Sequence, residues 1–374
     1  MLNKNIYVAA TDQHVGKTTS TLGLVAAFRS YGIGSIGYCK PVGQEISELF
    51  KQQVDKDAYL FSKIMGFDLE PDLHSPVILG KGATTAFLDD PEAYNYEERL
   101  LAAADELSKR HKLIVYEGTG HPGVGSIVNL SNATVAKKVN AHVVMVVEGG
   151  IGRAIDRLDL SLSPFRELGV PIVGVIVNKV LPKKREKIEY YLKKKLSQMN
   201  VPLLGIIPFD KTMSYPIMQT VRRAIKGKFL TNEQKCINSV EKLIPGSLLD
   251  EVEDLEESKN LLLVVSYKRT NDRIEMLRER LKGIHKNEHP ISGIIMTGDE
   301  NDPNALERYK IDTSYFEKYN IPVITTSLDT LGTFTKFNQI EVKINISTPW
   351  KVQRAMELIK KNVDLDLIFN SQVS

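Results

Sequence analysis

Close to the start of the chain, the apolar run Ile6-Tyr7-Val8-Ala9 leads through Ala10-Thr11-Asp12-Gln13-His14-Val15 into Gly16-Lys17-Thr18-Thr19, and then into Leu22, Leu24, Val25, Ala27 and Phe28. A buried strand, a tight loop closed by Gly-Lys-Thr and an apolar helix, in that order, form the layout of a phosphate-binding loop. The residue types follow from the chemistry. Backbone N–H groups of Val15 to Thr18 are expected to face phosphate oxygens, helped by the positive end of the helix dipole. Gly16 lets the backbone come close. Lys17 neutralises phosphate charge, and the Thr18 hydroxyl suits a Mg²⁺ ion. Thr11, His14 and Thr19 complete the candidate contacts along the loop.

A strand of this kind needs a sheet around it. Apolar runs at 5–10, 35–39, 112–117, 142–147, 171–178 and 203–207 alternate with helical patterns near 17–30, 48–65, 94–110, 131–139, 151–168 and 183–198. The runs are rich in Val and Ile and do not alternate with polar residues, so they read as strands covered on both faces. The expected fold is α/β, a mostly parallel sheet with helices on both faces. Residues 66–93, with Pro71, Pro76, Gly80, Gly82 and Pro91, read as an irregular loop over a site. After Lys228 the pattern weakens, and the acidic stretch Asp250 to Glu257 follows. A second alternation then runs through strand 260–266, helix 271–284, strand 291–296, strand 322–325, helix 328–337, strand 340–345 and helix 349–362. The expected division is therefore a nucleotide-binding domain at 1–228 and a smaller α/β domain at 229–374.

Composition narrows the classes of function. A net charge of +3 over 374 residues is too mild to argue for a nucleic-acid partner. The basic helix carrying Lys183, Lys184, Arg185, Lys187, Lys193, Lys194 and Lys195 is interrupted by Glu186 and Glu189, and reads as a solvated face. Two cysteines, Cys39 and Cys236, make no disulfide framework. No apolar run is long enough for a membrane helix, and no cleavable leader is visible. The expected setting is the cytoplasm. The seven histidines show no metal-ligand spacing.

The loop resembles that of dethiobiotin synthase, with Ala10 in place of that family's first glycine, and related loops open cobyrinic acid a,c-diamide synthase and the long phosphate acetyltransferases. Asp12 stands where other ATPases of the superfamily carry a signature lysine. The resemblance nominates further residues. In Tyr38-Cys39-Lys40-Pro41-Val42-Gly43, Lys40 matches a lysine that reaches phosphates and substrate. Such a lysine, at the carboxyl end of a strand, faces the crevice where open α/β sheets bind ligands. Asp57 and Glu117, the latter in Tyr116-Glu117-Gly118-Thr119-Gly120, match carboxylates that hold Mg²⁺ together with Thr18; Asp55 competes with Asp57 for that role. Asn178 matches an asparagine that reads the adenine edge, and Pro208, in Gly205-Ile206-Ile207-Pro208, borders the base pocket. His121 is a weaker substrate candidate. The implied cofactors are ATP and Mg²⁺, and the implied catalytic pair is Lys17 and Lys40.

The similarity to the N-terminal region of long phosphate acetyltransferases extends through the second half of the chain. Lys268-Arg269-Thr270-Asn271-Asp272 stands at the motif that names the DRTGG domain, although its aspartate and double glycine are not kept. The third, transferase domain of that family has no counterpart before Ser374. The resemblance therefore implies a Mg-ATP-binding regulatory or sensor protein, acting on a separate phosphate acetyltransferase or another enzyme, with an unknown small ligand at the second domain and assembly into a homo-oligomer. The alternative is an ATP-dependent ligase that activates a carboxylate or carbamate for attack by an amine. Gly43-Gln44-Glu45, where dethiobiotin synthase has a Ser-containing substrate loop, tilts the reading towards the first.

Overall fold

The computed structural model describes residues 5–30, 32–47, 53–298 and 304–370. It divides into two compact units. The first comprises Met1–Asp210 and Ile344–Ser374, and the second Lys211–Lys343.

Among the described residues, six strands build the central sheet of the first unit: β1 (Asn5–Ala10), β2 (Ile36–Cys39), β3 (Leu113–Glu117), β4 (Ala141–Glu148), β5 (Ile172–Val180) and β6 (Leu203–Pro208). They lie in the order β6-β5-β4-β1-β3-β2, and every pairing is parallel. Parallel strands require crossover helices, and those helices cover both faces of the sheet. Hence β3 is buried along its whole length and β4 along nearly all of it. The crossovers include α1 (Lys17–Ser30), α2 (Lys56–Met65), α3 (Tyr96–Arg110), α4 (Asn132–Lys138), α5 (Gly152–Glu167) and α6 (Arg185–Gln198). Their apolar stripes face inward: Leu100, Ala103 and Leu107 on α3, Leu158, Leu162 and Phe165 on α5, Ile188, Leu192 and Leu196 on α6. The lysines of α6 point outward, as a solvated face requires.

Three expectations change here. The helix expected at 48–65 starts at Lys56, because the Asp55 carboxylate caps it by accepting from the Asp57 N–H at 2.8 Å; residues 48–52 lie outside those described. The stretch 66–93 is not irregular throughout. It holds short helices at Pro71–His74 and Ala83–Asp89, with the two-residue strand Val77–Ile78 beside Val42–Gly43. Pro71 has the fixed φ suited to a first helical turn, so a proline that looked like a breaker is a helix start. The division at 228/229 also differs from the observed one, because the chain returns to the first unit after residue 343.

The returning segment carries one long helix, Pro349–Asn362, which buries Ala355, Leu358 and Ile359. It packs against α1 so closely that a Cβ on Gly23 would stand 2.2 Å from the Ile359 side chain. Its end docks on β6: Gly205 bridges Val363, and the Asp364 N–H donates to Leu204 O at 2.7 Å.

The second unit holds β7 (Lys228–Thr231), β8 (Lys242–Pro245), β9 (Leu261–Ser266), β10 (Ile291–Thr297) and β11 (Val323–Thr326), in the order β7-β11-β10-β9-β8. Among the described residues of this sheet, only β7 runs antiparallel to its neighbour. Leu263, Val265, Ile294, Met296 and Val323 lie in its main apolar cluster. The strand expected at 340–345 does not form. Its apolar–polar alternation is genuine, but both edges of this sheet are taken by β7 and β8, two short strands that the periodicity did not mark.

Candidate functional site

Because the first sheet is wholly parallel, the carboxyl ends of its strands share one edge. β1 leads there into the loop, β2 into Lys40, β3 ends on Glu117, and β5 and β6 bring Asn178 and Pro208. The strand order reverses around β1, and the crevice beside such a switch point is where open α/β sheets bind ligands.

The loop is anchored at its start by the Thr11 N–H, which donates to Val146 O at 3.0 Å. Val15 is buried beneath it, while His14 is exposed. Gly16 has φ +98°, and a Cβ there would stand 2.0 Å from Asn178 Nδ2, so both conformation and space demand glycine. The Ser20 N–H donates to Gly16 O at 2.9 Å, so helix geometry begins immediately after the turn. The amino end of the helix, whose first N–H groups have no partner within the helix, therefore lies at the loop. The Lys17 ammonium lies 3.4 Å from Gly120 O, across the crevice. Thr19 is half-buried on the same turn.

Beside the loop, the Thr18 hydroxyl donates to Glu117 Oε1 at 2.8 Å. Lys40 Nζ donates to Asp57 Oδ2 at 2.8 Å, to Gly118 O at 3.1 Å and to Glu117 Oε1 at 3.3 Å. The Tyr38 hydroxyl reaches Glu117 Oε2 at 3.3 Å. Glu117 is fully buried, and burial raises its pKa against the pull of Lys40. Burial also works against charge on Lys40, but the carboxylates of Asp57 and Glu117 outweigh it and hold the ammonium protonated. The cluster is thus a hydroxyl, two carboxylates and a cation packed against the phosphate-loop helix.

Asp55 and Asp57 differ in what they bond. Asp55 spends its oxygens on N–H groups: Asp57 N at 2.8 Å, Gln44 N at 3.1 Å and Glu45 N at 3.3 Å. Asp57 is left to face Lys40. Burial pushes the Asp55 carboxyl up to about 6.

Several contributors were not foreseen. Asn132 fixes the turn after Glu117: its Oδ1 accepts from the Thr119 N–H at 2.9 Å and the Tyr7 hydroxyl at 2.7 Å, and its Nδ2 donates to Thr119 O and His121 O. The Thr119 hydroxyl donates to Val42 O. These ties span 11 to 125 positions of sequence, and no local spacing announces them. His121 itself is exposed, with its ring Nδ1 accepting from the Gly123 N–H at 3.2 Å. Asn178 donates from Nδ2 to Val15 O at 2.9 Å and accepts from the Lys179 N–H at 2.8 Å, so it sits under the loop. Pro208 is paired with Val180 at the end of β5, beside Asn178.

The residues fit a magnesium ion bound with phosphates. Mg²⁺ takes hard oxygens and few protein ligands, and Thr18, Asp57 and Glu117 offer those. Among the described residues no group of three or more His, Cys, Asp or Glu side chains could hold a metal unaided.

In the second unit, Lys268–Asp272 follows the carboxyl end of β9, where Asn271 holds Tyr309 O and Lys310 O, each at 3.0 Å. A groove of about 700 Å³ lies elsewhere, lined among others by Lys259, Asn260, Lys282 and His289, residues at or near the amino ends of β9 and β10. Burial lowers His289 to about 4, and its ring is paired with the Tyr315 hydroxyl at 2.9 Å.

Parallel sheet, switch-point crevice and Gly-Lys-Thr loop define a P-loop NTPase-type nucleotide domain. The family model described as AAA domain matches residues 4–216, more than half of the chain, and the chain belongs to that family. A phosphate acetyltransferase of Nitratidesulfovibrio vulgaris is 22% identical over 97% of this chain and 51% of that protein. The chain thus spans about half the length of the phosphate acetyltransferases it matches. ATP-dependent dethiobiotin synthetase BioD 2 of Salmonella typhimurium is 27% identical over 61% of this chain and 96% of its own length. Among solved structures, cobyrinic acid a,c-diamide synthase of Mycobacterium smegmatis, with bound ADP and magnesium, has a TM-score of 0.37 and 16% identity, covering 56% of this chain and 88% of that one. No helix among the described residues is long and apolar enough to cross a membrane.

Proposed function

We propose that the first unit binds Mg-ATP at the loop and that the chain works as a regulatory or sensor module responding to nucleotide. The supporting observation is the cluster Thr18–Glu117–Lys40–Asp57 against the loop helix. Phosphates carry the affinity, Lys17 and Lys40 neutralise their charge, and Thr18, Asp57 and Glu117 hold the metal when it is bound. Asn178 and Pro208 would border the base. The regulatory reading is supported by similarity to phosphate acetyltransferase over nearly all of this chain, second unit included. The second unit would carry the small ligand or assemble copies of the chain.

A ligase is the second reading. Its support is the BioD similarity, which covers nearly all of that enzyme, together with Lys40 beside Gly118 and Thr119, where a carboxylate or carbamate being phosphorylated would be stabilised. Calorimetry with Mg-ATP should give binding that Lys17→Ala abolishes; identical behaviour of the two proteins sinks both readings. Turnover decides between them. ADP release stimulated by diaminopelargonic acid and bicarbonate, with a ureido product, overturns the sensor. ATP-dependent change in the rate of an added phosphate acetyltransferase, without such a product, supports it.

A further inference from the structure

Lys179 stands just after Asn178 in a backbone conformation that lysine rarely adopts, with φ +57°. Left-handed φ is strained for a side chain of this kind relative to glycine, and such strain persists where something else depends on it. What depends on it is visible. Lys179 Nζ donates to His14 O at 2.6 Å, while the Asn178 amide donates to Val15 O at 2.9 Å. Two neighbouring side chains thus hold two neighbouring carbonyls of the loop. Glu148 Oε1 lies 3.5 Å from Lys179 Nζ and pairs with the ammonium. Asp12 is tied in turn to Arg157 of α5. In a peptide chain each carbonyl and the following N–H point in opposite directions, because the peptide unit is planar and trans. Fixing His14 O and Val15 O on the β5 side therefore aims the N–H groups of Val15 and Gly16 to the other side, into the crevice.

We propose that Asn178 and Lys179 form a clamp that presets the phosphate-facing N–H groups, with Lys179 as a positioning residue. The inference rests on the reading of the loop as a phosphate site. The clamp acts on the phosphate chain whatever base is attached, which separates it from a base-reading role. The test uses inorganic tripolyphosphate, which has no base, alongside ATP, each with Mg²⁺, on the full chain by calorimetry. Lys179→Gly removes the ammonium and relieves the backbone strain. It is expected to melt at or above the wild-type temperature while binding both ligands about tenfold more weakly, the scale of one charged hydrogen bond. Lys179→Arg, which can still donate to the carbonyl, is expected to recover part of that affinity. Wild-type affinity for tripolyphosphate in Lys179→Gly overturns the clamp, and so does a loss confined to ATP, which would mark a base contact instead. If the unaltered chain binds neither ligand, the phosphate-site reading fails and the clamp with it, a result distinct from either of those.

Discussion

Lys40 carries its charge inside the protein because two carboxylates surround it. Its side chain is 5% exposed and that of Glu117 0%, so neither charge can turn to water. Removing one partner of such a buried pair leaves the other uncompensated, at a cost of about 3–5 kcal/mol. Lys40→Met is therefore expected to lower the melting temperature steeply, and adding Glu117→Gln should restore part of the loss. Equal damage in the single and double variants would show that Lys40 matters through packing instead. Asp55 gives a pH-dependent counterpart. Its folded carboxyl titrates at about 6 against an ordinary 3.8, so in that window the folded chain holds a proton that the unfolded chain has released. The contribution of Asp55 to stability thus falls as pH rises from 3.8 towards 6. Asp55→Asn cannot ionise. Its melting temperature relative to wild type should climb across that window, and a constant difference would refute the assignment. Both aspartates were legible in the sequence as candidates. Which one caps α2 and which one meets Lys40 was not, since the choice depends on where Gln44 and Glu45 place their N–H groups.

At the scale of elements, the helix Pro349–Asn362 was legible from its periodicity, but its destination was not. Amphipathic spacing shows that a face will be buried and says nothing about which surface buries it. The surface is α1 and β6, and close approach makes it specific. A Cβ on Gly205 would meet Asn362 O at 2.2 Å, and a backbone atom cannot step aside as a flexible side chain can. Gly205→Val should therefore destabilise the chain by about 1–3 kcal/mol, in the range of overpacked cores. It should also raise hydrogen exchange in residues 349–364 more than in the middle of the sheet; a uniform change would argue against local detachment. The six strands of the first unit were readable because strands covered on both faces must be continuously apolar. The short edge strands β7 and β8 escaped notice, because few residues and partial exposure leave little pattern.

For the whole molecule, the consequence is that the second unit is an insertion in the first rather than a successor to it. Excision of 211–343, with 210 and 344 joined by a flexible Gly/Ser linker, should leave a protein that melts cooperatively and binds Mg-ATP as the full chain does. Truncation after 228, at the boundary the sequence suggested, should instead strip the cover from α1 and yield aggregating or non-cooperative material. The reverse pattern, a stable 1–228 and an unfolded excision variant, would show that residues 344–370 are dispensable.

The sequence by itself determined the local chemistry: a phosphate loop between strand and helix, apolar strands that must form a parallel sheet, and an acid or lysine at the ends of several of them. Those features lie within a few residues of one another, so period and composition reveal them. Tertiary structure decided what depends on distant residues meeting. It made Asp57 and not Asp55 the partner of Lys40, gave Asn132 the turn after Glu117, put Asn178 and Lys179 on the loop carbonyls, and returned residues 344–370 to the first sheet. Hydrogen bonds and close packing act over a few ångströms, and only the folded chain brings positions separated by 13 residues (Thr119 and Asn132) or by 165 (His14 and Lys179) within that reach.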